Sequence, residues 1–157
     1  MQTRCADASY ICRRASSSFY GAPIPVPAKQ SPRILLVEDN KDAAASLKML
    51  LETEGYEIRL AHDGEAAVKL ALEIKPDVLL VDIGLPTMNG YEVAKQVRRQ
   101  HRFRKLLVIA VTGWGWKIDR DRSKAAGIDH HLVKPADFNV LKDLIASWEP
   151  DKKQLEG

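Results

Sequence analysis

Three apolar runs of strand length, each ending in charge, constrain this chain more than any other feature. ILLV is followed by Glu38-Asp39, VLLV by Asp82, and HLV by Lys134. Consecutive aliphatic residues leave no alternation between a wet and a dry face. Each run therefore reads as a strand buried on both sides in a parallel sheet. In open α/β sheets, ligand sites form in the crevice at the carboxyl ends of the strands. Charged strand ends interleaved with helical segments thus predict one site where several carboxylates meet an ammonium. A divalent cation and a phosphoryl group suit such a site.

The segments between the runs supply the rest of the fold. Arg33–Glu38 is a first strand, and Ala43, Leu47, Leu50 and Leu51 then recur at helical spacing as one buried face. Gly55 ends that helix, Tyr56–Ala61 alternates as a second strand, and Asp63 is an N-cap for a helix running to Lys75. Pro76 stops it ahead of a third strand, Asp77–Asp82. Asn89-Gly90-Tyr91-Glu92 has the form of a capping box opening a helix to about His101. Leu106–Val111 is a fourth strand, Trp116–Ala126 a weaker helix, Asp129–Val133 a fifth strand and Asp137–Trp148 the last helix. Alternation of this kind gives a parallel sheet with right-handed crossovers. The expected fold is a doubly wound, flavodoxin-like α/β domain with a five-stranded sheet in the order 2-1-3-4-5.

A length of 157 residues suits one well-buried domain. Residues 1–31 carry Arg4, Arg13, Arg14 and Lys29 against Asp7, which accounts for the whole net charge of +3. With four prolines between Pro23 and Pro32 and no periodicity, this segment reads as a disordered Pro/Ser-rich lead-in. The domain is expected over residues 32–150, with a tail at 151–157. From Pro32 onward the charges balance, which leaves no electrostatic footprint for nucleic acid. No apolar stretch has transmembrane length, so a membrane is not an expected partner. Both cysteines, Cys5 and Cys12, lie in the lead-in, and a reducing cytoplasm is the default location.

In the expected strand order, strands 1 and 3 are neighbours, and their ends bring Glu38, Asp39 and Asp82 together. Three carboxylates in one pocket repel one another unless a hard cation such as Mg²⁺ relieves them. Lys134 enters from strand 5, and Thr112 ends strand 4 with a hydroxyl. Metal ion and ammonium together can neutralise a transferring phosphoryl group, and Asp82 is the natural nucleophile because a carboxylate can form an acyl phosphate. Taken singly, each residue is commonplace: Asp in turns, Thr in strands, Lys in loops. Their coincidence at the ends of four strands carries the argument.

VEDN, VDIGLPTMNGYE, AVTGWG and AGIDHHLVKP, spread over residues 32–148, resemble the receiver domain of bacterial two-component response regulators. The resemblance implies that Asp82 takes phosphate from a phosphohistidine donor, on a histidine kinase or phosphotransfer protein. It implies Mg²⁺ bound by Glu38, Asp39 and Asp82 with the backbone carbonyl of Gly84, and a phosphoryl group contacted by Thr112 and Lys134. It further implies a usually cis Lys134-Pro135 bond and a switch made of Thr112 and the residue three before the lysine, here His131 in place of the more frequent Tyr or Phe. Gly84 and Trp114 occupy positions that tune dephosphorylation, and a glycine there implies a long-lived phosphoryl group.

The Trp114 and Trp116 region with Lys117, Arg120 and Arg122 is interrupted by Asp119 and Asp121, which argues against a base-stacking groove. A flavin domain would want donors where EDNKDA offers carboxylates, and a haloacid-dehalogenase hydrolase would want DxD after strand 1. A pure interaction module on the same scaffold would have no need of intact Asp39, Asp82, Thr112 and Lys134. After Trp148 only EPDKKQLEG remains, so the expected output is a changed surface read by a downstream protein. The wording TGWG and DHHLVKP also resembles receivers of hybrid sensor kinases, which leaves a free-standing regulator and a fragment of such a kinase both open.

Overall fold

The computed structural model describes residues 31–113 and 117–148. Expectations for residues 1–30, Trp114, Trp116 and 149–157 fall outside them. Five strands, β1 (Arg33–Val37), β2 (Glu57–Ala61), β3 (Val78–Asp82), β4 (Leu107–Thr112) and β5 (His130–Val133), form one parallel sheet. Its order is β2-β1-β3-β4-β5, as the sequence implied. The crossovers are α1 (Lys41–Thr53), α2 (Gly64–Ile74), α3 (Gly90–Arg98) and α4 (Arg120–Ala126), and α5 (Phe138–Ala146) closes the domain.

Alternate strand residues feed two cores. Ile34, Leu36, Val78 and Leu80 pack toward Leu51 of α1 and Leu141 and Ile145 of α5. Leu35, Val37, Leu79 and Val81 pack toward Ala67 and Ala71 of α2 and Val93 and Val97 of α3. Burial on both faces is why these strands are apolar throughout, and why polar chemistry is left to their ends. The helices start where side chains satisfy their free N–H groups: Asn40, Asp63, Asn89, Asp119 and Asp137 each accept from the first turn. Gly55 follows α1 at φ +86°, consistent with its expected terminating role.

Three details differ from the sequence reading. The buried stripe of α1 is Ala44, Leu47 and Leu51, whereas Ala43 is exposed and Leu50 is 48% exposed. Both stripes satisfy a 3.6-residue period, and packing against Ile34, Leu36, Val78 and Leu80 of the sheet selects between them. α3 stops at Arg98 because Gln100 is extended, and a 3₁₀ turn at His101–Phe103 then buries the Phe103 ring. α4 begins at Arg120, since Asp119 caps it and Lys117–Asp119 are not helical. Among the described residues, no helix is long and apolar enough to cross a membrane.

The β3–α3 connection is pinned tightly against the end of β3. Gly90 N–H donates to the Ile83 carbonyl at 3.2 Å. A Cβ at Gly90 would stand 2.5 Å from the Asp82 carbonyl oxygen and 2.9 Å from Ile83 Cα, both backbone atoms that cannot swing aside. Gly90→Ala is therefore expected to cost about 1–3 kcal/mol, read as a lower urea midpoint. An unchanged midpoint would mean that the connection yields freely.

Candidate functional site

The carboxyl edge of the sheet gathers the charged strand ends. Glu38 leaves β1, its N–H donating to the Ala61 carbonyl of β2 at 3.1 Å. Asp82 is the last residue of β3. Glu38 and Asp82 are buried and Asp39 is exposed, yet each offers an oxygen within 4.8 Å of the others. Lys134, just past β5, donates to Glu38 Oε2 at 2.6 Å and to Asp82 Oδ2 at 2.7 Å. The N–H of Gly84 holds the other Asp82 oxygen at 2.8 Å, and the N–H of Asn40 approaches Glu38 Oε1 at 3.3 Å. Both buried carboxylates are thus oriented from two sides.

Thr112 ends β4 and is 1% exposed. Its hydroxyl donates to the Leu132 carbonyl of β5 at 3.4 Å, and its own carbonyl accepts from Lys134 N–H at 2.8 Å. The hydroxyl is thus turned to the β5 backbone, on the side of β4 away from Asp82 on β3. His131 lies outside the carboxylate cluster and lines a cavity of about 330 Å³ with Ile118, Arg120, Ser123, Lys124 and Ile128. The Lys134-Pro135 bond is cis. His62, just past β2, was not singled out from sequence. Its Nδ1 lies 2.9 Å from the Glu38 carbonyl, so Nδ1 carries the proton. Its position after β2 matches that of Glu38 after β1, which is the signal that could have revealed it.

Three converging carboxylates form the hard oxygen donor set that a divalent cation of the Mg²⁺ or Ca²⁺ kind takes, and exposed Asp39 leaves a way in. Lys134 counters their charge. Burial alone would lower its pKa, but the hydrogen bonds and charges of Asp82 and Glu38 outweigh this and raise it. His131 shifts the other way: burial lowers its pKa and the neighbouring His130 lowers it further. Among the described residues, the cavity wall adds the cations Arg120 and Lys124 and no carboxylate, which suits a neutral imidazole.

The comparisons with known proteins place the chain in a family. A model of the response regulator receiver domain matches residues 34–146, and the chain belongs to that family. The polar-differentiation response regulator DivK of Brucella anthropi is 34% identical over 118 residues, 75% of this chain and 96% of that one. The transcriptional regulatory protein CpxR of Klebsiella pneumoniae is 39% identical over 114 residues, 73% of this chain but 46% of its own length. Among solved structures, the receiver domain of the Pseudomonas aeruginosa sensor histidine kinase PA1611 has a TM-score of 0.68 at 32% identity, covering 75% of this chain and 97% of that one. That crystal holds a magnesium ion in its active-site cleft.

The two shifted groups give opposite pH signatures. A raised lysine pKa means that the Lys134 contribution to stability is complete below the ordinary lysine value of about 10.4 and is lost as pH climbs through the folded value. Lys134→Met should remove this alkaline component from urea midpoints measured across that range. A lowered histidine pKa favours the fold above the ordinary imidazole value of about 6.5, and the advantage is lost as pH falls through the folded value. His131→Phe should flatten that acid limb, while an unchanged slope would place the titration elsewhere.

Proposed function

We propose that this chain is a phosphorylatable receiver in which Asp82 accepts a phosphoryl group from a phosphohistidine donor. The observation that carries the reading is the convergence of Glu38, Asp39 and Asp82 within 4.8 Å, with Lys134 Nζ bonded to Glu38 and Asp82. An Asp82 oxygen attacks phosphorus, the donor's N–P bond breaks, and the imidazole leaves with the bonding pair and takes up a proton. Mg²⁺ is the proposed cofactor; Glu38, Asp39, Asp82 and the Gly84 carbonyl would hold it, and it would supply charge neutralisation and alignment. Lys134 balances the charge on the phosphoryl oxygens. The Thr112 hydroxyl leaves the Leu132 carbonyl and donates to a phosphoryl oxygen, and His131 on the adjacent strand follows.

The resulting change of surface is the output, in keeping with a regulatory domain whose chemistry is confined to its own phosphorylation and dephosphorylation. Its partners are a histidine kinase or histidine phosphotransfer protein upstream and a protein target downstream, in the cytoplasm, without direct contact with nucleic acid or membrane. Incubation with acetyl phosphate and Mg²⁺ followed by intact mass should give one phosphate addition, absent in Asp82→Asn and absent when a chelator removes the Mg²⁺. Sustained turnover of acetyl phosphate with no phosphorylated protein would favour a hydrolase instead, and no addition at all would favour a pure interaction module.

A further inference from the structure

No Asp or Glu occurs between Glu92 and Asp119, a stretch that contains Arg98, Arg99, His101, Arg102, Arg104 and Lys105. The structure places 98–105 at the end of α3, in the 3₁₀ turn and just before β4. This is the amino edge of the sheet, one strand length or about 16 Å from the carboxyl edge that bears Asp82. Arg98 is neutralised by Asp129 at 2.6 Å. Among the described residues, Arg99, Arg102, Arg104 and Lys105 have no carboxylate within ion-pair distance. Three of these four are exposed and Lys105 is half-buried.

The backbone that displays these cations is firmly held. Phe103 is 3% exposed, and its carbonyl accepts from Arg98 Nη1 at 3.1 Å and from the N–H of Leu106 at 3.1 Å. The carbonyl of Lys105 accepts from the Trp148 indole at 3.0 Å. Like charges crowded on a rigid turn repel one another, and an anionic partner relieves that repulsion at small ordering cost. The remaining chemistry of the patch narrows the partner. The Phe103 ring is buried and the half-buried Trp148 indole is tied to the Lys105 carbonyl, so among the described residues the patch has no row of exposed rings on which successive bases stack. Among the described residues, the exposed large apolar side chains, Met49, Leu50, Ile118, Val133 and Val140, all lie outside 93–113, so the patch itself carries no exposed apolar side chain to enter a bilayer. The patch is also short and sits on a domain of balanced charge, unlike the broad basic face that tracks a phosphate backbone.

We propose that residues 98–105 form a docking surface for an acidic polypeptide segment, used independently of the carboxylate site. A donor must reach Asp82 at the opposite edge, so both contacts can be made at once. The test is titration of the full chain with a fluorescein-labelled oligoglutamate peptide, followed by anisotropy and by amide NMR shifts. The expected result is saturable, salt-sensitive binding with shifts centred on 98–105, the same in Asp82→Asn. R102E/R104E should weaken it at least about tenfold, whereas Arg59→Glu, an exposed cation on β2, should leave it unchanged. Absence of binding, insensitivity to R102E/R104E, or tighter binding of duplex DNA or phosphatidylserine vesicles through the same residues would each overturn the proposal. Because the Asp82→Asn arm reads binding and not phosphorylation, the outcome stands apart from the function proposed above.

Discussion

The bridge from Lys134 to Glu38 and Asp82 is the interaction on which the carboxyl edge depends. Two buried carboxylates on adjacent strands would be costly to hold so close without a counter-charge. The ammonium that supplies it arrives from the far end of β5, 96 residues after Glu38. The sheet order makes this possible, because β1 and β3 are neighbours while β5 ends on the same edge. The fold thus brings the acids together, and the lysine makes their proximity tolerable.

In the proposed function, that bridge would also connect strand geometry to response. The N–H of Lys134 donates to the Thr112 carbonyl, and the Thr112 hydroxyl donates to Leu132, next to His131. A change in charge at Asp82 alters what Lys134 must balance, and Lys134 is one backbone hydrogen bond from Thr112. The coupling that the proposed function calls for would need only three consecutive contacts, Asp82 to Lys134, Lys134 to Thr112 and Thr112 to Leu132.

Much of this was legible from sequence because buried parallel strands write themselves as uninterrupted apolar runs, and the residues that end such runs share an edge. Glu38, Asp39, Asp82, Thr112 and Lys134 were found in that way. The stripe of α1 was misread because Leu50 and Leu51 both fit a helical period, and only the packed sheet decides which one turns inward. The start of α4 was placed too early because the Asp119 cap outweighs the apolar residues before it. His62 was missed because its only signal is positional, following β2 as Glu38 follows β1, and the strand before it alternates instead of running apolar. The basic turn was hidden by a balanced total, since net charge says nothing of segregation along the chain.

Arg98 has a consequence that extends beyond its ion pair. Its guanidinium joins the carbonyls of Phe103 and Gly127 and the carboxylate of Asp129. Asp129 in turn accepts from the N–H of Val108, so α3, the 3₁₀ turn, β4 and the entry to β5 are fastened at one point. Gly127, at φ +76° against the Arg98 side chain, closes α4 at that same fastening. The seven-residue α4 is thus tied at its last turn to three other elements, while Arg120 at its first turn shares a cavity wall with His131, so the one short helix spans the distance between the Arg98 fastening and the histidine.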